Sequence, residues 1–403
     1  MFVNVTRKKF TDKSLKGKCI VIVLDGLGVG ELPDAASYND SGSNTILSIS
    51  AAKELKIPNL LSLGFGNIST IRNVTTNERV IGSFGRMSEK SPGKDSTTGH
   101  WEIAGLILNK AFPVFPFFPE DIVNKFISLT GIKGVLGNEA ASGTEIINRL
   151  GDEHYATSKP IIYTSADSVF QIAASEEVTG LDELYRLCEI ARNEIFVNEY
   201  AVARVIARPF TKVDGKYVRT ANRRDFSLKP SGSTMLNLML SAGIRTVAVG
   251  KIDDLFAGAG LDVKLHTKSN AEGIDVTISQ IKQRTNEFIF TNLVDFDMLF
   301  GHRNDALGFA EALEYFDAKL PEIEAAMSDD DMLILTADHG NDPGDSSTDH
   351  TREYVPLLVY SKKRKGGVDL GTRSSFADIA KTVLDYYQIE NNLYGKSFLP
   401  LLS

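Results

Sequence analysis

Short aliphatic and β-branched runs alternate with longer stretches of helical periodicity over most of this chain. Residues 19–24, Cys-Ile-Val-Ile-Val-Leu, show no polar alternation, which predicts a strand buried on both faces, as in a parallel sheet. A helix is predicted over 44–55, with Ser43 or Asn44 as its N-cap, and a loop-rich stretch follows to about residue 95. Beyond Ser231, helices over 234–242, 274–284, 306–327 and 376–387 alternate with strands over 246–249, 287–294, 332–336 and 354–360. Strand–helix alternation of this kind predicts an α/β fold with a doubly wound, mostly parallel sheet. Residues 108–227 break the rhythm. Phe112, Phe115, Phe117 and Phe118 cluster with three prolines, then helices over 119–130, 144–151 and 182–195 mix with strands over 160–163, 169–174 and 202–207. This α+β stretch reads as an inserted cap domain, 108–227, between two parts of a core, 1–107 and 228–403.

Composition narrows the picture. A chain of 403 residues is long enough for two domains. The net charge of -8 argues against nucleic acid or an anionic membrane as a general partner. Residues 1–18 are polar and basic without an apolar segment, and no run approaches the roughly eighteen apolar residues of a membrane span. Cys19 and Cys188 lie far apart and read as reduced core residues. A cytoplasmic protein is expected.

Candidate chemistry collects where strands end. Asp25 closes the first strand, Asp297 and His302 follow the strand over 287–294, and Asp338-His339 follow the strand over 332–336. His350 comes eleven residues after His339, on a polar loop. In open α/β sheets ligands gather at the carboxyl ends of strands. Carboxylate with neutral imidazole suits a borderline divalent metal, although a turn-capping Asp or a solvent-facing His is the plainer reading of any single member. Gly26, Gly28 and Gly30 imitate a dinucleotide loop, but Glu31 replaces the third glycine and Pro33 follows, so no phosphate-cradling helix start is present. Six convergent ligands exceed the needs of one catalytic metal, and two metals would clamp both oxygens of a phosphoryl displacement. Ser96, Thr97 and Thr98 follow Asp95 ahead of a helix, where a hydroxyl is either a nucleophile or a plain cap. From 201 to 230, eight Lys or Arg stand against two acids, a local net of +6 that suggests an anion site.

Seven segments carry a family resemblance: Gly93-Lys-Asp-Ser-x-x-Gly-His-Trp-Glu102, Gly134 through Glu145, Tyr163-Thr-Ser-Ala-Asp-Ser-Val169, Arg204-Val-Ile-Ala-Arg-Pro-Phe210, Asn292-Leu-Val-Asp-Phe-Asp297, Thr336-Ala-Asp-His-Gly340 and Thr348-Asp-His-Thr-Arg-Glu353. On these the chain resembles the alkaline phosphatase superfamily of metal-dependent phosphoryl-transfer enzymes and, along nearly its whole length, the phosphopentomutase family within it. The resemblance implies an isomerase of pentose phosphate metabolism that interconverts α-D-ribose 1-phosphate and ribose 5-phosphate, and the deoxyribose pair. It implies two Mn2+ ions, one held by Asp25, Asp338 and His339, the other by Asp297, His302 and His350. It further implies a phosphoprotein intermediate on Ser96 and a bisphosphate activator such as glucose 1,6-bisphosphate or ribose 1,5-bisphosphate; Thr97 and Thr98 are then expected to cap the helix behind it. Substrate contacts would come from Ser165, Asp167, Val169, Arg204, Arg219 and Lys251, with no obligate protein partner. Ser96 stands where the family usually has Thr, and Arg224 where it usually has His. A phosphoglycerate mutase, a phosphomonoesterase, and a catalytically silent sugar-phosphate sensor are the alternatives.

Overall fold

In a computed structural model that describes residues 17–74, 79–165, 168–283, 285 and 287–403, the strand Cys19–Leu24 lies at the middle of an eight-stranded sheet. Across the sheet the order is Val263–Leu265, Arg245–Val249, Glu287–Leu293, Cys19–Leu24, Met332–Thr336, Val355–Tyr360, Ser83–Met87 and Asp369–Arg373. Only Val355–Tyr360 runs antiparallel to its neighbours, so the expected mostly parallel α/β architecture holds. The three middle strands are buried along their whole length, which is why they read as unbroken apolar runs. Their register pairs Leu24 with Leu293 and Val23 with Thr336. The chain therefore leaves all three strands at one edge of the sheet, and Asp25, Asp297 and Asp338 leave with it.

Helices pack in two groups. Thr45–Ala52, Pro58–Ser62 and Asn270–Lys282 gather round the long helix Ala306–Ala326, while Ala377–Tyr386 packs with Ser96–Ile103 and Met235–Ser241. Asn44 caps the first helix by accepting a hydrogen bond from the Leu47 amide at 3.1 Å. The long helix buries Phe309, Leu313, Phe316, Leu320 and Ile323, one side of a 3.6-residue repeat.

A second, six-stranded sheet lies wholly within residues 136–227. Leu136–Ala140, Ile161–Thr164, Val169–Ser175, Arg204–Val213 and Lys216–Arg219 follow in order, and Arg224–Ser227 also pairs with Arg204–Val213. One face packs Phe118, Phe126, Phe170 and Phe196, the other Ile146, Tyr163 and Phe210. The aromatic cluster read at 112–118 divides between the two sheets. Phe112 meets Trp101 of the large core edge-on at 5.5 Å, and Phe118 meets Phe170 at 4.8 Å, whereas Phe117 is 60% exposed. Both cysteines are buried and free. Among the described residues no helix is long and apolar enough to cross a membrane.

Candidate metal centre and its cavity

Each strand end contributes as the ligand pattern requires. Asp25, Asp338 and His339 form one group whose ligand atoms lie within 4.8 Å of one another, and Asp297, His339 and His350 form a second. His339 Nε2 stands between them, 3.4 Å from Asp25 Oδ1 and 3.3 Å from Asp338 Oδ2. His302 joins the second group, its Nε2 lying 3.2 Å from Asp297 Oδ2 and 3.2 Å from His350 Nε2. His350 Nε2 is 3.3 Å from Asp297 Oδ1, and its ring stacks on that of His339 with centroids 3.9 Å apart. All six residues read from the sequence thus converge, with His339 shared more evenly between the groups than the expected three-and-three division.

The donors fit a cation. His339 Nδ1 donates to Gly340 O at 3.0 Å and His302 Nδ1 to Thr348 O at 2.7 Å, which leaves each Nε2 lone pair facing the cluster. Asp25 Oδ1 and Asp338 Oδ2 are buried without a hydrogen-bond partner, a costly arrangement for carboxylates unless positive charge sits beside them. Burial, and then the neighbouring Asp338 carboxylate, pushes Asp25 above the usual carboxylate range. Burial opposes an imidazolium at His339, yet the carboxylates of Asp338 and Asp25 raise it well above its ordinary value. The nest demands cationic charge, and the mixture of carboxylate and imidazole suits a borderline divalent metal.

Supporting residues come from the same motifs. Asn292 Nδ2 donates to Asp25 Oδ2 at 2.8 Å, and Asn341 Nδ2 to Asp297 Oδ1 at 2.7 Å. His100, fully buried, places Nδ1 3.1 Å from Asp338 Oδ2 and 2.8 Å from Ser96 O. Sequence reading gave none of these three a role. The signal for His100 was its spacing of four from Ser96, which puts both on one helix face.

Ser96 opens the helix Ser96–Ile103, and its Oγ lies 3.1 Å from His339 Nε2, against the shared ligand. The cap is Asp95, not the threonines: its carboxylate accepts from the Thr98 amide at 3.0 Å and from Thr98 Oγ1 at 2.6 Å. An acidic side chain outcompetes a hydroxyl there because it accepts two hydrogen bonds and complements the helix dipole. Gly99 brings the helix this close. A Cβ at residue 99 would stand 2.1 Å from the Asp338 carbonyl oxygen.

Above the cluster is a cavity of about 590 Å³ lined from both sheets. The large core supplies Ser96, Thr97, Lys251, Asp254, Asp297, His302 and His350; the smaller sheet supplies Ser165, Val169, Gln171, Arg204, Arg208 and Arg223–Asp225. Ser165, Val169, Arg204 and Lys251 are therefore brought together with Ser96. Arg219 is not. It ends the strand Lys216–Arg219, paired with Phe210, and lines a separate groove of about 320 Å³ with Thr144 and Tyr217. Asp167 lies outside the described residues. Arg208 and Arg223 are wall residues that sequence reading saw only as members of a basic run. Arg208 Nε donates to Gln171 Oε1 at 3.0 Å, and Arg223 holds Asp225 with two hydrogen bonds of 2.7 Å. Arg224, the other departure from the family pattern, lies against Phe226 with its guanidinium 4.7 Å from the ring centroid.

Comparison with known proteins agrees with this geometry. Residues 17–391 match the model of the metalloenzyme superfamily. The chain is 56% identical to a phosphopentomutase of Acetivibrio thermocellus, over 95% of this chain and 98% of that protein. It is 55% identical to a phosphopentomutase of Caldanaerobacter subterraneus, over 95% and 97%. In fold it is similar to the PH0037 protein of Pyrococcus horikoshii, with a TM-score of 0.50, 16% identity and coverage of 95% of this chain and 100% of that one. This chain belongs to the phosphopentomutase family, within the metalloenzyme superfamily.

Proposed function

We propose that this protein interconverts α-D-ribose 1-phosphate and ribose 5-phosphate, and the 2-deoxyribose pair, by way of a phosphoryl group carried on Ser96. The observation that carries the reading is the place of Ser96 Oγ, 3.1 Å from His339 Nε2, below a cavity whose far wall holds Arg204, Arg208 and Arg223. A cavity of about 590 Å³ is ample for a pentose bisphosphate. Asp25, Asp338 and His339 would hold one Mn2+ and Asp297, His302 and His350 another. When bound, such a pair supplies charge that lowers the pKa of an attacking hydroxyl and stabilises the phosphoryl oxygens in flight.

The residues of the chain do the rest. Ser96 Oγ gives its phosphoryl group to the free hydroxyl of the sugar phosphate; the Oγ–P bond breaks, the new O–P bond forms, and the hydroxyl proton passes to the Ser96 oxygen that the phosphorus leaves. The sugar bisphosphate then presents its other phosphate; Ser96 Oγ bonds to that phosphorus, its sugar O–P bond breaks, and the freed sugar oxygen takes the Ser96 proton, leaving the isomeric monophosphate. Arg204, Arg208 and Lys251 grip the phosphate that is not reacting, as guanidinium and ammonium groups suit phosphate. Ser165 and Val169 line the sugar, the family resemblance adds Asp167 as a further contact, and Arg219 contributes charge from the neighbouring groove. Residues 108–227 act as a cap on the core formed by 1–107 and 228–403, and glucose 1,6-bisphosphate or ribose 1,5-bisphosphate loads Ser96 at the start. The cycle needs no protein partner, and we place it in the cytoplasm.

Purified protein supplied with ribose 5-phosphate, Mn2+ and glucose 1,6-bisphosphate should form ribose 1-phosphate. Release of inorganic phosphate alone would make the protein a phosphomonoesterase. Tight binding of ribose 5-phosphate without any product would make it a sensor.

A further inference from the structure

The segment that ends at Ser96 and the loop that carries His350 come from distant parts of the chain, and one buried side chain ties them together. Arg352 is 3% exposed. Its Nη1 lies 2.5 Å from Glu89 Oε2, 2.9 Å from Ser91 O and 2.6 Å from Gly93 O. Nη2 donates to Glu89 O at 3.2 Å and to Asp34 Oδ2 at 3.1 Å, while Nε reaches Asp34 Oδ1 at 3.2 Å. The guanidinium carbon stands 5.0 Å from the ring centroid of Tyr38, whose hydroxyl accepts from the Gly93 amide at 3.1 Å.

A second tie runs parallel to the first. The Arg352 amide donates to Asp40 Oδ2 at 2.8 Å, and Lys94 Nζ donates to Asp40 Oδ1 at 3.0 Å while standing 3.6 Å from Asp349 Oδ2. The residue before His350 and the residue two after it are both fastened to the segment just ahead of Asp95-Ser96. Between the strand Ser83–Met87 and the helix Ser96–Ile103 that segment forms no regular structure. Gly93 takes φ +134°, in the region that favours glycine. Where this segment lies depends on tertiary hydrogen bonds: those from Arg352 on one side, and on the other Glu102, which accepts from the Lys90 and Ser91 amides at 2.8 and 2.6 Å.

We infer that Arg352 is a positioning residue for Ser96: through Gly93 and Ser91 it sets where Oγ stands relative to His339 and the carboxylates, without touching substrate. The inference rests on Ser96 as the phosphoryl carrier. A displacement of about 1 Å at a reacting atom costs on the order of 100-fold in rate. The planar fork of a guanidinium spans these divergent acceptors, and an ammonium cannot.

Arg352 is also the counter-ion of buried Glu89, so its simple removal would leave an uncompensated charge and destabilise the fold. The test separates the two duties with Arg352→Met combined with Glu89→Gln, and with Arg352→Lys alone. The double variant should recover a melting temperature near that of wild type and bind the same number of Mn2+ ions. Its kcat should stay roughly 100-fold low with KM within about twofold. Loading of Ser96 from glucose 1,6-bisphosphate, followed by intact mass, should slow in parallel. Arg352→Lys, which keeps the charge beside Glu89, should fall between the double variant and wild type in kcat. Recovery of kcat together with stability in the double variant would show Arg352 to be a counter-ion only. Equal loading rates on Ser96 in wild type and the double variant would overturn the inference alone. A phosphoryl group mapping elsewhere than Ser96 in wild type would overturn the Ser96 reading and this inference with it.

Discussion

At the scale of single residues, sequence reading was strongest where chemistry demands a side chain with few substitutes. Asp25, Asp297, His302, Asp338, His339 and His350 were all legible, because carboxylates and imidazoles ending apolar strands are conspicuous, and all six meet in space. Residues that only support were not legible. Asn292 and Asn341 carry no ligand chemistry of their own, and their value lies in fixing Asp25 and Asp297. Nor could pattern assign the cap to Asp95 or place Arg219 outside the cavity, since both depend on which way a short loop turns. Ser96 is a sharper case. Three hydroxyls stand in a row: Thr98 is engaged by Asp95, Thr97 lines the cavity, and Ser96 Oγ meets His339 Nε2. After incubation with glucose 1,6-bisphosphate, one phosphoryl group should map to Ser96 by fragmentation. Ser96→Ala should lose that adduct and the isomerase activity while keeping its bound metal. Ser96→Thr should remain active within roughly tenfold, because the added methyl restricts χ1 but leaves the oxygen in place. A fully active Ser96→Ala protein would remove Ser96 from the mechanism.

At the scale of elements, the strands legible in advance were those buried on both faces, since an unbroken apolar run has one reading. The strands missed are edge or half-buried ones. Ser83–Met87 alternates buried with half-buried positions across Ser-Phe-Gly-Arg-Met, too short and too polar to stand out from the loops around it. Asp369–Arg373 pairs with it, with Asp369, Gly371 and Thr372 exposed. The strands Lys216–Arg219 and Arg224–Ser227, each antiparallel to Arg204–Val213, were hidden within the basic run for the same reason. The helix read over 144–151 extends to Gly143–Thr157, since Gly151, which looks like a stop, lies against the Tyr217 ring and continues the helix. Another glycine gives a prediction at this scale. Gly99 lets the helix Ser96–Ile103 approach the end of Met332–Thr336, and a Cβ there would meet Asp338 O at 2.1 Å and Asp338 C at 2.8 Å. The obstacle is backbone, so the helix itself must retreat. Gly99→Ala should lower kcat by roughly 100-fold or more while leaving far-UV circular dichroism unchanged. Activity close to wild type would mean that the separation of helix and strand is not what sets the site.

At the scale of the whole molecule, the alternation of strands and helices announced the large sheet, and its interruption near residue 108 announced the second one. What pattern could not supply was the relation between them, because the cavity exists only where one sheet's arginines face the other's carboxylates and histidines. Two consequences follow from that opposition. The lower side holds three buried carboxylates whose mutual repulsion a bound cation relieves, so removing metal should weaken the core. Chelation with EDTA should lower the melting temperature by about 3 °C for each ion lost, given that a ligand at 100 times its Kd contributes about 2.7 kcal/mol, and Mn2+ should restore it. An unchanged melting temperature would mean that the cluster holds no metal. The upper side governs water. In the proposed cycle the phosphoryl group on Ser96 would pass either to a sugar hydroxyl or to solvent, the partition set by how well the arginine wall seats the sugar phosphate and shuts the cavity. Arg204 lies on that wall on the strand Arg204–Val213, with its Nη1 3.6 Å from Asp225 Oδ2, and Lys251 faces it from the core. Arg204→Ala and Lys251→Ala should each lower isomerisation at least tenfold, a loss of about 1.4 kcal/mol in transition-state binding, with metal content unchanged. Both should also release more inorganic phosphate per sugar isomerised, because a substrate held loosely leaves the phosphorylated Ser96 open to water. Slower isomerisation with no rise in that ratio would place these two side chains in binding only, and would leave the exclusion of water to the apolar part of the wall at Val169 and Ile206.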